Sequence, residues 1–309
     1  MLNRYKVLNL TQKISSLSDN GKAILMAITF AFLFSLIICI VRYLSQDFDV
    51  MFIAAIRNIA ALIFLLPLII KQGMGVFATK KIKLHFFRSI IGVLGMVSWF
   101  YVIANVPLPE AVSISFCAPI FTTIAAILFL KEKFRIQVIF SLFIGLFGVL
   151  IVLKPAFAEF KFGFLVAIVT TILWGAVNVT IKILTRTEKA ETVVAYFALF
   201  MAIFTLPFVF TDHPKLTAEH LMWFAIIGFI SNFSHYFLSK AFLKVEISLI
   251  QPYDFTRLIF VSIIAFFAFG QVVGFNTIVG SAVIMLGGFI ALPKKKKEVI
   301  LQEKINEKF

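Results

Sequence analysis

Apolar runs of about 18–25 residues recur along the chain, each closed by a short polar or basic stretch. They fall at about 23–43, 51–70, 84–103, 109–130, 136–153, 163–183, 192–210, 221–239, 245–268 and 274–292. About 20 apolar residues in a helix span the ~30 Å hydrocarbon layer of a bilayer. No two-residue alternation competes over these lengths, so helices are predicted rather than strands. The expected fold is an all-α integral membrane protein of ten transmembrane helices.

Composition strengthens that expectation. Of 309 residues, 61% are hydrophobic and 14% charged, with a mean hydropathy of +1.03. A water-soluble surface needs about a quarter of charged residues. The polar, basic residues 1–22 precede the first run without a small-residue cleavage site, so that run reads as a retained span. Cys39 and Cys117 both fall inside apolar runs, and no disulfide framework is expected.

The formal charge of +14 could point to nucleic acid, but its distribution points to topology. With both termini cytoplasmic, 22 Lys and Arg fall on the inner segments and four on the outer loops. Cytoplasmic loops of membrane proteins carry this excess. An odd number of spans would put Lys294–Lys297 on the opposite side from the N-terminus. The basic tail then serves topology and attraction to anionic lipid. The expected location is the cell's inner (plasma) membrane, multi-pass.

The chain also resembles itself. At a shift of 140, residues 23–44 lie over 163–184, and Leu66-Pro67 over Leu206-Pro207. At 136, Ile90-Ile91-Gly92 meets Ile226-Ile227-Gly228, Ser98 meets Ser234 and Glu110 meets Glu246. At 139, Gly148 meets Gly287. The predicted organisation is a cytoplasmic segment (1–22), two five-helix repeats (23–153 and 163–292) and a basic cytoplasmic tail (293–309). Five is odd, so the second repeat enters the membrane from the opposite side. Inverted halves enclosing a site near the midplane are a transporter architecture.

Charges within spans are few, and such charges usually serve function. Arg57 and Asn58 sit in the second span, Arg88 opens the third, and Asp254 and Arg257 lie within the ninth. Asp254 and Arg257, three apart, share a helix face. Two readings fit: an ion pair that locks the helix, or a pair lining a substrate cavity beside the break at Pro252. Proline removes a helix hydrogen bond, which is tolerable where backbone borders a wet cavity. Pro119 is a second candidate distortion. Arg57 has no carboxylate within helical reach; it snorkels to an interface or takes a partner elsewhere, such as Asp254, carbonyls or an anionic ligand. Trp99, Tyr101, Trp174, Asn178 and Tyr253 are cavity candidates because they carry polar tips, with burial in packing as the alternative for each. Glu110 and Glu246, at span ends, are candidates for coupling. His235 lies deep in a span as a core histidine or a proton carrier. Gly92, Gly95, Gly145 and Gly148 read as close-packing sites between helices.

The stretches RSIIGVLGMVSWFY (88–101), PLPEAVSISFCAPIF (107–121) and LKEKF (130–134) resemble the drug/metabolite transporter superfamily, in its EamA-like branch. Arg57 before LIFLLP and the later QPYDF also match. The resemblance covers nearly the whole chain and implies ten spans in two five-helix halves. In look the chain is nearest to the S-adenosylmethionine uptake group. Two features depart from that group's pattern. Asp254 precedes Arg257, where the group has the basic residue first, and the ninth span ends in Gly270-Gln271 instead of a Gly-Glu or Asn-Glu pair.

The implied function is secondary transport of a small metabolite by alternating access, S-adenosylmethionine or another amino-acid-like zwitterion. Asp254 would face a cationic group, Arg57 or Arg257 a carboxylate, and the aromatic rings the apolar parts. The alternative is a proton-coupled drug, metabolite or amino-acid exporter of the same family. An enzyme would need a nucleophile–base set or a metal cluster. No Walker loop, H-E-x-x-H motif or Cys/His cluster occurs, and no cofactor is expected. The expected partners are a small-molecule substrate and the lipid bilayer, with no nucleic acid, the protein being a monomer or homodimer.

Overall fold

The computed structural model describes residues 18–105, 114–153, 162–269 and 274–290, and every regular element among them is helical. In chain order these are α1 (Asp19–Leu44), α2 (Val50–Gln72), α3 (Ile82–Asn105), α4 (Ala118–Leu130), α5 (Ile136–Leu153), α6 (Phe162–Thr185), α7 (Ala190–Thr205), α8 (Ala218–Lys244), α9 (Ile247–Ile250), α10 (Thr256–Phe269) and α11 (Phe275–Ile290). Short 3-10 turns prolong α2 (Gly73–Phe77) and α7 (Leu206–Phe210) and join α9 to α10 (Gln251–Phe255). Seven of the described stretches are long and apolar enough to cross a membrane, and three shorter apolar helices accompany them. The chain is an all-helical, multi-pass membrane protein.

Capping chemistry sets several boundaries. The Ser18 side chain accepts from Gly21 N at 3.2 Å to start α1, and Asp49 accepts from Met51 N at 2.8 Å to start α2. Thr217 and His220 form a reciprocal capping box on α8. Such caps contribute about 1 kcal/mol each. At its far end α4 stops on Lys131, which takes the left-handed conformation at φ 56°.

Side-chain size sorts inside from outside. On α1, Ala23, Ala27, Ala31 and Ser35 are buried, while Leu25 and Phe32 are exposed. Elsewhere Leu128, Phe129, Phe147 and Phe267 stand outward. Lipid leaves large apolar groups at ease on the surface, and small residues let helix backbones meet.

The main packing pairs are α1 with α8, α3 with α6, and α5 with α11; α2 packs on α8, α4 on α6, and α10 on α1. Glycines permit the closest approaches. A Cβ on Gly148 would stand 2.8 Å from the Gly280 carbonyl, and one on Gly228 2.5 Å from the Ala60 side chain. Gly145 accommodates the Phe255 ring, which a Cβ would meet at 2.3 Å. Ser141 Oγ donates to the Gly287 carbonyl at 2.6 Å, pinning α5 to α11.

Two predicted spans differ in detail. The ninth is interrupted at residues 251–255, where Pro252 cannot donate and the backbone tightens to 3-10. Part of the predicted fourth span lies outside the described residues; α4 begins at Ala118 after a turn at 116–117. Pro119 therefore stands in the first turn of a helix, where its missing N–H has no role, rather than kinking a helix from within.

Candidate functional site

The break in the ninth span opens onto a cavity bordered by α1–α4, α6–α8 and residues 250–257. It offers the centre of a water-sized sphere about 190 Å³, where one water needs roughly 10–15 Å³ on the same measure. Arg57, Trp99, Trp174, Asn178, Asp254 and Arg257 all border it. Gln251 and His235, from the break and from α8, join them.

The two-sided break shapes the ionic part. Arg257 Nη2 lies 3.2 Å from Asp254 Oδ2, with side chains 8% and 19% exposed. The guanidinium carbon stands 5.3 Å from the Phe34 ring centre and 5.0 Å from that of Phe116. Two aromatic faces and one carboxylate thus hold the cation. Asp254 Oδ1 is buried and makes no hydrogen bond.

Two indoles also border the cavity. Trp99 of α3 and Trp174 of α6 have ring centroids 5.3 Å apart, tilted by 59°. Gly95 gives Trp174 its place; a Cβ there would lie 3.3 Å from the ring. Asn178, one turn on, donates weakly to Thr122 Oγ1 at 3.4 Å. Together these residues provide an aromatic wall with amide groups at its edge.

Other predicted candidates lie elsewhere. Tyr101 is 41% exposed and meets Phe162 edge-on at 6.3 Å, so its ring does not border the cavity. Tyr253 is buried beside Gly288 of α11, and its hydroxyl makes no hydrogen bond. Pro252 belongs to the break behind the cavity wall. Glu246 pairs with Arg135 at 2.7 Å at the start of α9, away from the cavity. Glu110 lies outside the described residues. Among the described residues, no three His, Cys, Asp or Glu gather as a metal site.

The EamA-like transporter family profile matches this chain twice, over residues 21–154 and 161–292. The chain belongs to the EamA-like transporter family. Relatives agree. A Helicobacter pylori protein named as an uncharacterized transporter is 30% identical over 69% of this chain and 74% of its own. The S-adenosylmethionine uptake transporter of Rickettsia prowazekii is 26% identical over 84% of this chain and 88% of its own. A riboflavin transporter of Brucella anthropi is 27% identical over 75% and 84%. A solved crystal structure matches with a TM-score of 0.76 at 16% identity, over 88% of this chain and 96% of that one; this likeness concerns the fold. The protein is a membrane transporter, not an enzyme.

This EamA-like chain has polar contacts that the sequence reading overlooked. Glu132 is buried, and its two oxygens accept from Ile247 N at 2.7 Å and Ser248 N at 3.0 Å. Lys182 Nζ donates to the carbonyls of Phe242 and Val245, the latter at 2.6 Å. An anion thus caps the start of α9 and a cation the end of α8, as the helix dipoles favour. Ala23, Leu130, Leu184, Val245 and Ile247 pack around this corner in one apolar cluster. Near the same corner Lys244 and Asp19 pair at 2.7 Å. Glu132 was visible only as the acid of LKEKF, and Lys182 only as a basic residue near a span's end; neither position reveals a backbone partner 60 or more residues away.

Arg88 was also underread. It is fully buried, donates to the Val193 carbonyl at 2.9 Å and stacks on Phe197 at 4.1 Å. Beside it His85 pairs with Glu188 at 2.6 Å, and Glu188 also accepts from Thr79 Oγ1.

Proposed function

We propose that the protein moves a small, zwitterionic metabolite across the plasma membrane by alternating access, with the central cavity as its binding site. One observation carries the reading: a roomy cavity among membrane helices holds the Asp254–Arg257 pair, the unpaired Arg57 and two facing indoles. Charges of both signs suit an amino-acid-like group, and the indoles suit a planar or apolar moiety. Relatives named for S-adenosylmethionine and riboflavin make those compounds the first to test.

The moving parts are two inverted five-helix repeats, 23–153 and 163–292, ten spans in all, with residues 1–22 and 293–309 cytoplasmic. Two family matches support the repeats. So does the packing. Exchanging each span for its counterpart turns the α1–α8 contact into the α6–α3 contact, and α1–α10 into α6–α4. The inversion follows from the odd number of spans per repeat. The basic-loop asymmetry supports the orientation.

Transport is facilitated exchange. Glu246, a coupling candidate, is engaged with Arg135 outside the cavity. The test begins with thermal unfolding of purified protein against S-adenosylmethionine, S-adenosylhomocysteine, amino acids and riboflavin. Stabilising compounds then go to counterflow in proteoliposomes. Trans-substrate should accelerate uptake, and an imposed pH gradient should leave the final level unchanged. Uptake that ignores trans-substrate identifies a pore, and strong accumulation down a proton gradient identifies coupling.

A further inference from the structure

Arg57 cannot shed its proton, yet the structure supplies it with little. Its Nη2 reaches only Asn58 Oδ1 at 3.1 Å and Met96 Sδ at 3.4 Å, and its buried Nε has no partner. Among the described residues no carboxylate pairs with it. Asp254 is taken by Arg257, Glu188 by His85, Glu191 by Lys240 and Glu246 by Arg135. Asn58 does not neutralise the guanidinium but aims it, because its own Nδ2 is tied to Thr205 Oγ1 at 3.2 Å.

Arg57 also stands between two spaces. Behind the main cavity lies a side chamber of about 20 Å³ on the same measure, bordered by Arg57, Asn58, Asn232 and His235. That is room for one or two waters or a single-atom ion. His235 borders both spaces, its ring edge-on to Phe197 at 4.7 Å, and its Nδ1 lacks a partner too. A neutral imidazole has one N–H to give. Two residues with unpartnered ring or guanidine nitrogens thus border the same small chamber, and Arg57, Arg257 and Asp254 together leave the cavity with one positive charge over. An uncompensated cation within a membrane is costly and takes a counter-charge wherever one is offered.

We propose that Arg57, with Asn58 and His235 behind it, is an anion-binding subsite. The anionic group comes from the transported molecule, as a carboxylate or phosphate, or from a co-bound inorganic anion in the side chamber. The inference rests on the transporter reading of the cavity and narrows it: anions and net-neutral zwitterions bind better than net-cationic molecules. S-adenosylmethionine, whose sulfonium and ammonium outweigh its carboxylate, ranks below a net-neutral relative such as S-adenosylhomocysteine.

The test uses the full chain in neutral-lipid nanodiscs, at constant ionic strength, with the bulky sulfonate sodium HEPES replaced stepwise by chloride, phosphate or acetate. Wild type should show a saturable rise in Tm with at least one of these. Arg57→Lys should keep the response and Arg57→Gln should weaken it at least tenfold. A flat wild-type response, or an equal response in Arg57→Gln, overturns the subsite; if Arg57→Gln does not fold, the wild-type titration alone decides. Counterflow then separates the sources. Exchange that falls more than fivefold when chloride is replaced by HEPES assigns the subsite to an inorganic anion. Exchange that is unchanged without chloride and is inhibited by added phosphate or acetate assigns it to the substrate's own group. Loss of counterflow with the anion response intact would count against the transporter reading and not against the subsite.

Discussion

At the scale of single residues, Asp254 and Arg257 decide between a lock and a binding site. Their pair is largely buried, flanked by Phe34 and Phe116, and one Asp254 oxygen is buried without a hydrogen bond. Asp254→Asn removes the charge while keeping the shape. Exchange in proteoliposomes should fall at least tenfold with membrane insertion unchanged. Breaking one partner of a buried pair costs about 3–5 kcal/mol, so Asp254→Ala with Arg257→Ala should unfold at a higher temperature than Asp254→Ala alone. If that double variant also transports like wild type, the pair is a lock. Aromatic substitutions make a second comparison. Trp174→Ala should raise the KM for a ring-bearing substrate several-fold, whereas Tyr101→Ala should leave it within about twofold, since Tyr101 faces away from the cavity. The charges were legible in the sequence because a charge inside an apolar run has few reasons to be there. Tyr101 was not, because a nearly uniform apolar helix carries no stripe that says which face turns inward.

At the scale of elements, the ninth span shows what local sequence can and cannot specify. Pro252 announced a break, and the break is a 3-10 segment at residues 251–255. Restoring an N–H with Pro252→Ala should let α9 and α10 run closer to one continuous helix. We expect a higher Tm in nanodiscs and slower exchange, measured as counterflow rate. Pro119 has the same chemistry but sits in the first turn of α4, so Pro119→Ala should leave the Tm unchanged. Position within the helix separates the two prolines for stability, although Pro119 also borders the cavity, and helix starts inside long apolar runs are not marked by composition. The α8–α9 corner was illegible for another reason: Glu132 and Lys182 bond to backbone, and any segment offers backbone. A charged hydrogen bond contributes about 1.5–3 kcal/mol. Glu132→Gln should therefore populate the corner's open form roughly ten- to a hundredfold more. A Ser248→Cys probe, buried in the closed corner, should then react correspondingly faster with a membrane-permeant thiol reagent.

At the scale of the whole molecule, the duplication was legible because corresponding pieces keep nearly one offset from end to end. Packing adds what sequence could not carry, namely which helices of one half meet which of the other. The contacts α1–α8 and α6–α3 are exchanged by the repeat, while α5–α11 maps onto itself. If an axis relates the two repeats, a self-mapped contact lies on it, and here Gly148 and Gly287, matched to each other in sequence, each let one helix's backbone approach the other's. The direction of insertion is a separate matter, and it fixes whether the halves can work as a rocker. If they are inverted, repeat-equivalent loops open on opposite faces of the membrane. Gln46 and Arg186 are such a pair at the shift of 140, and both are exposed in loops. In a background with Cys39→Ser and Cys117→Ser, Gln46→Cys should react with an impermeant maleimide added to intact cells. Arg186→Cys should react only in inside-out vesicles. Labelling of both from the same face would mean two halves inserted alike, and the two halves could not then take turns at closing opposite ends of the cavity.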